Sequence, residues 1–209
     1  MTELPDWPPE AFAAADPAPD RLFYAQARLV THIDAAAVAA VTALYRTLLP
    51  AGGTILDLMS SWVSHLPGEV AYAGVIGLGM NARELAANPR LTRALVQDLN
   101  ADPVLPLDGA SIDAATICVS VQYLRRPVAV LREVARVLRP GAPLIVTFSN
   151  RCFPTKAVAI WQALPPDDHA RLVGLYLDRA GFSRVETRAP VPHGGPGDPL
   201  TAVIGWNAA

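Results

Sequence analysis

From Thr54 onward, short apolar runs alternate with stretches of helical periodicity. Thr54–Leu58, Tyr72–Leu78, Ala94–Gln97, Ala114–Val119 and Pro143–Phe148 read as strands buried on both faces. Between them, Asn81–Asn88 and Pro127–Leu138 read as helices. In the second helix Val128, Leu131, Val134, Ala135 and Leu138 recur at helical spacing, Pro127 suits the first helical position, and Pro140-Gly141 stops it. Upstream, the pattern is helical from Arg21 to Leu49. Asp34 caps the run Ala35–Leu49, which Pro50 and Gly52-Gly53 end. Downstream, a helix from about Asp167 to Ala180 stops at Gly181, and the apolar runs Phe182–Thr187 and Leu200–Trp206 flank a Pro/Gly loop. Strands alternating with helical crossovers predict an α/β fold. The expected sheet is mostly parallel with helices on both faces, an antiparallel C-terminal hairpin at its edge and an N-terminal helical cap. One domain over residues 21–209 is expected, preceded by a flexible arm, residues 1–20, rich in Pro, Ala and Asp.

Composition narrows the function classes. Hydrophobic residues make up 52% of the 209 and charged residues 17%, yet the apolar runs are short and interrupted, so no transmembrane helix and no membrane partner are expected. The start, with Glu3, Pro5, Asp6, Pro8, Pro9 and Glu10, lacks the basic and apolar regions of a signal peptide, which reads as cytoplasmic. A net charge of −2 without a basic stripe argues against nucleic acid as partner. Lys156 is the only lysine. Cys118 sits in an apolar run and reads as core, whereas Cys152 follows a strand end and reads as a pocket-lining residue. The four histidines show no metal-ligand spacing, so no metal is expected.

The chemistry concentrates at the strand ends. Thr54–Leu58 carries Asp57 near its carboxyl end, and ligands of open α/β sheets bind beyond those ends. The loop that follows, Met59-Ser60-Ser61-Trp62-Val63-Ser64, contains no glycine, although a nucleotide-binding loop usually places glycine there to admit the ligand.

Four segments resemble class I S-adenosylmethionine-dependent methyltransferases of the type 11-like, small-molecule kind, with a degenerate glycine loop. They are Ile55-Leu-Asp-Leu58; Val96-Gln-Asp-Leu-Asn100 followed by Val104-Leu-Pro-Leu-Asp-Gly109; Ser111-Ile-Asp-Ala114 leading to Val119-Ser-Val-Gln-Tyr-Leu124; and Leu131-Arg-Glu-Val-Ala-Arg-Val-Leu-Arg-Pro-Gly141. Ala180-Gly-Phe182 is similar to the entry to the family's closing hairpin. The resemblance implies a Rossmann-like fold and S-adenosylmethionine as cofactor. It places Asp57 and Met59 beside that cofactor, Asp98 on the adenine amino group, the Leu99 N–H on a ring nitrogen, Met80 against the adenine and Ser120 after the fourth strand.

The chain departs from the family at Met59, Ser61 and Val63, which stand at glycine positions, and at Gly79, which stands where an acid holds the ribose hydroxyls. Restoring that acid by Gly79→Asp is expected to strengthen cofactor binding or leave it unchanged. Asn81 either substitutes for the acid or caps the next helix. Ser60 and Ser61 either donate to the cofactor's carboxylate or bond local backbone. Trp62 is expected to wall the pocket, and Gln122, Tyr123, Asn150, Arg151 and Phe153 to approach the substrate from strand ends. From the cap, Tyr24, Arg28 and His32 recur every four residues; as one helical face they are either solvated or closed over the site. A helix around Lys156–Leu164, with Trp161, would form the other half of a lid, and His65 and His32 are candidate bases. The expected function is methyl transfer to a small-molecule acceptor. The alternative is a non-catalytic nucleoside-binding or regulatory protein on the same fold.

Overall fold

The computed structural model describes residues 7–208. A seven-stranded sheet runs β3-β2-β1-β4-β5-β7-β6, with β1 Thr54–Leu58, β2 Gly74–Gly79, β3 Arg93–Val96, β4 Ala114–Cys118, β5 Pro143–Phe148, β6 Phe182–Val191 and β7 Leu200–Asn207. The first five strands are parallel. β7 returns antiparallel to β5, and β6 pairs antiparallel with β7, closing the edge as the expected hairpin. The strand order reverses between β1 and β4, so their carboxyl ends diverge into a crevice.

Alternate residues of β1 feed two cores. Leu56 and Leu58 pack in a cluster with Val128, Leu131 and Val134 of α4 (Pro127–Val137) and Leu172, Val173 and Tyr176 of α6 (His169–Ala180). Ile55 packs on the opposite face with Ala37, Val41, Leu44 and Tyr45 of α2 (Ala35–Leu48). The period of two along the strand thus puts one helix layer on each face. α6 ends as the sequence indicates, with Gly181 at φ +97° as its left-handed cap.

The N-terminal region differs from the expected continuous helix. α1 is a single turn, Asp20–Phe23, and residues 24–34 are irregular before α2, whose cap is the Asp34 carboxylate accepting from the Ala37 N–H at 2.8 Å. Side chains replace the helical ladder there. The Asn81 amide donates to the Tyr24 and Ala25 carbonyls, the Trp62 indole to the Val30 carbonyl, and the Arg28 N–H donates to Glu84. Tyr24, Arg28 and His32 therefore share no helix face.

Nor are residues 7–20 a loose arm. Trp7 and Phe12 pack against the core, Ala14 bridges to Val158, and Lys156, 2% exposed, pairs with Asp16 at 2.9 Å and Asp20 at 3.1 Å. Residues 1–6 of the expected arm lie outside the described residues. The expected lid helix shrinks to α5, Ala159–Ala163, and Trp161 is buried between Phe148 and the His169 ring, stacked on the latter at 4.0 Å. It is core rather than lid. No helix among the described residues is long and apolar enough to cross a membrane.

Candidate functional site

A cavity of about 600 Å³ opens over the carboxyl ends of β1, β2, β3 and β4, roofed by the irregular segment before α2. That size suits a small-molecule ligand. The cavity gathers Asp57, Met59, Ser60, Ser61, Trp62 and His65 from β1 and its loop; Gly79, Met80 and Asn81 from β2; and Asp98, Leu99, Ser120 and Tyr123 from beyond β3 and β4. Tyr24, Arg28 and His32 come from the roof, and Arg151 from the loop after β5. Of the expected site residues, Gln122 and Asn150 do not reach it. Gln122 is buried and donates to the Val119 carbonyl, while Asn150 borders a separate small cavity. Phe153, Glu84, Asn100 and Asp198 also line the site.

Two strand ends carry left-handed backbone in non-glycine residues: Met59 at φ +56° and Val119 at φ +45°. Met59 stands at a glycine-matching position, so the chain keeps the glycine backbone without the glycine. A β-branched residue in this region is strained, and such strain clusters at functional sites. Gln122 holds the carbonyl of Val119 and Thr147 accepts its N–H.

The loop after β1 is bound from below and from the side. Asp57, fully buried, accepts from the hydroxyls of Ser60 (2.5 Å), Ser64 (2.6 Å) and Thr116 (3.2 Å). Desolvation pushes its carboxyl up to about 6 despite those three donors. Ser61 donates to Glu84 at 2.6 Å, and the Asn88 amide donates to the Ser61 carbonyl and to the Ser64 hydroxyl. A hydroxyl has one proton to give. Both hydroxyls thus bond side-chain carboxylates, Ser60 that of Asp57 and Ser61 that of Glu84, rather than chiefly local backbone.

The corner at Gly79 is closed. A Cβ on Gly79 would lie 2.1 Å from the Ser60 carbonyl oxygen, so the loop backbone fills the space an acidic side chain would need. Asn81 acts as a cap: its oxygen accepts from the Arg83 and Glu84 N–H groups while its amide holds the roof. Glu84, three residues into α3 (Ala82–Ala87), reaches both the β1 loop and the roof. Sequence reading misses Glu84 because its position also suits an ordinary first-turn acid.

The wall beyond β3 and β4 stays open. Asp98 uses one oxygen for the Asn100 and Ala101 N–H groups, Leu99 is buried, and the buried Ser120 hydroxyl has no partner among the described residues. Under the roof, Phe153 contacts Phe23, Tyr123 and His32 ring to ring. Tyr123 accepts the Phe153 N–H at 2.9 Å, and burial raises its phenol to about 12. Burial also raises the Tyr24 phenol well above its usual range. His32 and His65 both sit below the ordinary imidazole value, chiefly through burial, and so face the cavity uncharged near neutral pH. Asp198 from the β6–β7 loop binds Arg151 at 2.7 Å, and the backbone N–H of each of Asp34 and Asp198 donates to the other's carboxylate, fixing the rim. This pairing spans 164 residues and has no local signal.

The unpartnered Ser120 hydroxyl, the apolar Met80 and Leu99 and the partly free Asp98 fit an adenosine-like group; the Gly79 corner does not offer the usual ribose carboxylate. A family model described as a methyltransferase domain matches residues 63–146. No curated protein matches the chain. Among solved structures, an S-adenosylmethionine-dependent methyltransferase from Aquifex aeolicus superposes with a TM-score of 0.59 at 20% identity, over 83% of this chain and 92% of its own. The cyclase SpnF gives 0.58 at 16% identity, over 81% of each chain. A complex of the Haloferax volcanii Trm112 methyltransferase activator with its methyltransferase gives 0.59 at 15% identity, over 83% of this chain and 91% of the matched one. At these identities the likeness is one of fold.

Proposed function

The chain has the fold of class I S-adenosylmethionine-dependent methyltransferases, and on that premise we propose that it transfers a methyl group from S-adenosylmethionine to a small-molecule acceptor. The observation that carries this reading is the single cavity joining an open adenine side to an aromatic acceptor side across the β1–β4 crevice. Asp98, Leu99, Met80 and Ser120 would hold the adenosine. The wall supports a cationic ligand: six carboxylates line it, and with Asp20 held by Lys156 and Arg125 and Asp198 by Arg151, Asp34, Asp57, Glu84 and Asp98 remain against Arg28. When bound, the cofactor supplies a methyl group on a positively charged sulfur. The protein's share is alignment and exclusion of water, from Tyr24, Trp62, Tyr123 and Phe153. Where the acceptor is a hydroxyl, an uncharged His65 or His32 takes its proton.

The commitment of Ser60, Ser61 and Asn81 to internal bonds favours a second reading, a nucleoside-binding protein without methyl transfer. Incubation with methyl-tritiated cofactor and a panel of aromatic hydroxy and amino compounds separates the two. Label moving into an acceptor supports transfer; label that stays on a bound cofactor across the panel supports the second reading.

A further inference from the structure

The two edges of the sheet are finished differently. β6 breaks register with β7 near both ends, between Phe182 and Arg184 and between Arg188 and Val191, and it carries Pro190. Irregularities and proline keep an edge from pairing with another chain. β3 has neither. Its register with β2 is continuous from Arg93 to Val96, and its outer side pairs with no described strand.

The surface at one end of that edge is apolar. Val96 is 60% exposed and Val104 59%, the two highest values among the large hydrophobic residues described. The Gln97 amide donates to the Asp102 and Val104 carbonyls at 2.8 Å each, which ties the 102–104 loop to the carboxyl end of β3. Both valines therefore stand at that end. One exposed valine on a surface is ordinary, but a pair beside an unblunted strand edge marks a contact surface.

The charges along the edge are arranged head to tail. Arg93, at the amino end, is exposed and has no acid or other acceptor for its guanidinium among the described residues. Asp102, beside the carboxyl end, is exposed. Its carboxylate accepts the Val104 N–H at 3.0 Å and meets no cation among the described residues. An antiparallel pairing of two copies of β3 about a twofold axis sets the amino end of each strand against the carboxyl end of the other. Arg93 of each copy then faces the partner's Asp102, and the contact is made twice, as in any isologous interface. A parallel pairing would instead set Arg93 against Arg93.

We propose that β3 is a self-association edge, occupied by β3 of a second copy of this chain in antiparallel register, which joins two seven-stranded sheets into one. The strand edges supply backbone hydrogen bonds, the valines apolar area, and the Arg93–Asp102 pairs the direction. The pairing also lies next to the cavity wall, because the Ala101 and Asp102 N–H groups both donate to the carbonyl of Asp98. It does not depend on which ligand the cavity binds.

The test is sedimentation velocity of the full chain over roughly a hundredfold range of concentration, with cooperative unfolding as the check of fold in every variant. The expected result is a concentration-dependent dimer in the wild type. Val96→Lys places a solvated charge on the edge and should leave a monomer. Arg93→Asp and Asp102→Arg each set like charges against one another and should weaken dimerisation about tenfold or more. The double variant restores opposite charges and should recover most of that loss. A wild-type protein that is monomeric at every concentration would overturn the proposal, whether or not a different protein occupies the edge. A dimer unmoved by Val96→Lys and by both charge reversals would place the interface on another face. Single reversals that weaken the dimer without recovery in the double variant would contradict the antiparallel Arg93–Asp102 pairing.

Discussion

Asp57 and Gly79 show how single residues reshape the site. Burial holds the Asp57 carboxyl at about 6, against an ordinary value near 3.9. The folded chain therefore keeps this proton more tightly than the unfolded chain. Because the folded value is raised for an acid, stability from this group is full below about pH 4 and falls as pH rises through about 6, a loss of roughly 2–3 kcal/mol. Asp57→Asn should abolish that decline, so urea unfolding between pH 4 and 7 should show a slope in the wild-type protein that the variant lacks. Identical slopes would remove the carboxyl as its source. At Gly79 the obstacle is the Ser60 carbonyl, a backbone atom with no rotamer to give way. Gly79→Ala should cost about 1–3 kcal/mol of stability, read as a lower urea midpoint at unchanged slope. Gly79→Asp should be damaged at least as much and gain no cofactor affinity. An undamaged Gly79→Ala would show that the loop does not press on this strand end.

Among the elements, those with a strong local period were legible from sequence. β1 and β5 fall at the expected boundaries, and α4 begins at Pro127 as its turn chemistry indicates. The irregular elements were not. Residues 24–34 have helical spacing, yet the Asn81, Trp62 and Glu84 side chains satisfy the backbone from outside the segment. The spacing of Tyr24, Arg28 and His32 reads as one helix face, whereas the three line the cavity from a loop. Lys156, the only lysine, carries no local sign of its role, because its partners, Asp16 and Asp20, lie about 140 residues away. It is the pin that docks the N-terminal segment, with Arg125 and Asn100 also reaching Asp20. Lys156→Met should leave Asp20 with a weakened set of partners in a buried place and lower stability by about 3 kcal/mol. Limited proteolysis should then cut within residues 7–34 before the body. Uniform resistance equal to wild type would show that the segment is held without the lysine.

For the whole molecule, the sheet order, the cavity at its reversal and the methyltransferase-domain match over residues 63–146 belong to one architecture. Within it, the β1 loop is a packed hydroxyl–carboxylate lattice, and the roof lays the Arg28 guanidinium over the Phe23 ring. The sequence resemblance located the crevice and most of its lining, because strand-end positions follow from the element order. It could not locate which hydroxyls were already bonded, since Asp57, Ser64, Asn88 and Glu84 meet only in three dimensions. The central claim is that the crevice remains a cofactor site. Calorimetric titration of the wild-type protein with S-adenosylhomocysteine, the demethylated product, tests it most directly. The account predicts saturable binding at one site per chain, weakened in Asp98→Ala while adding no defect in folding. Absence of heat and of competition with adenosine at millimolar ligand, in protein that unfolds cooperatively, would contradict it.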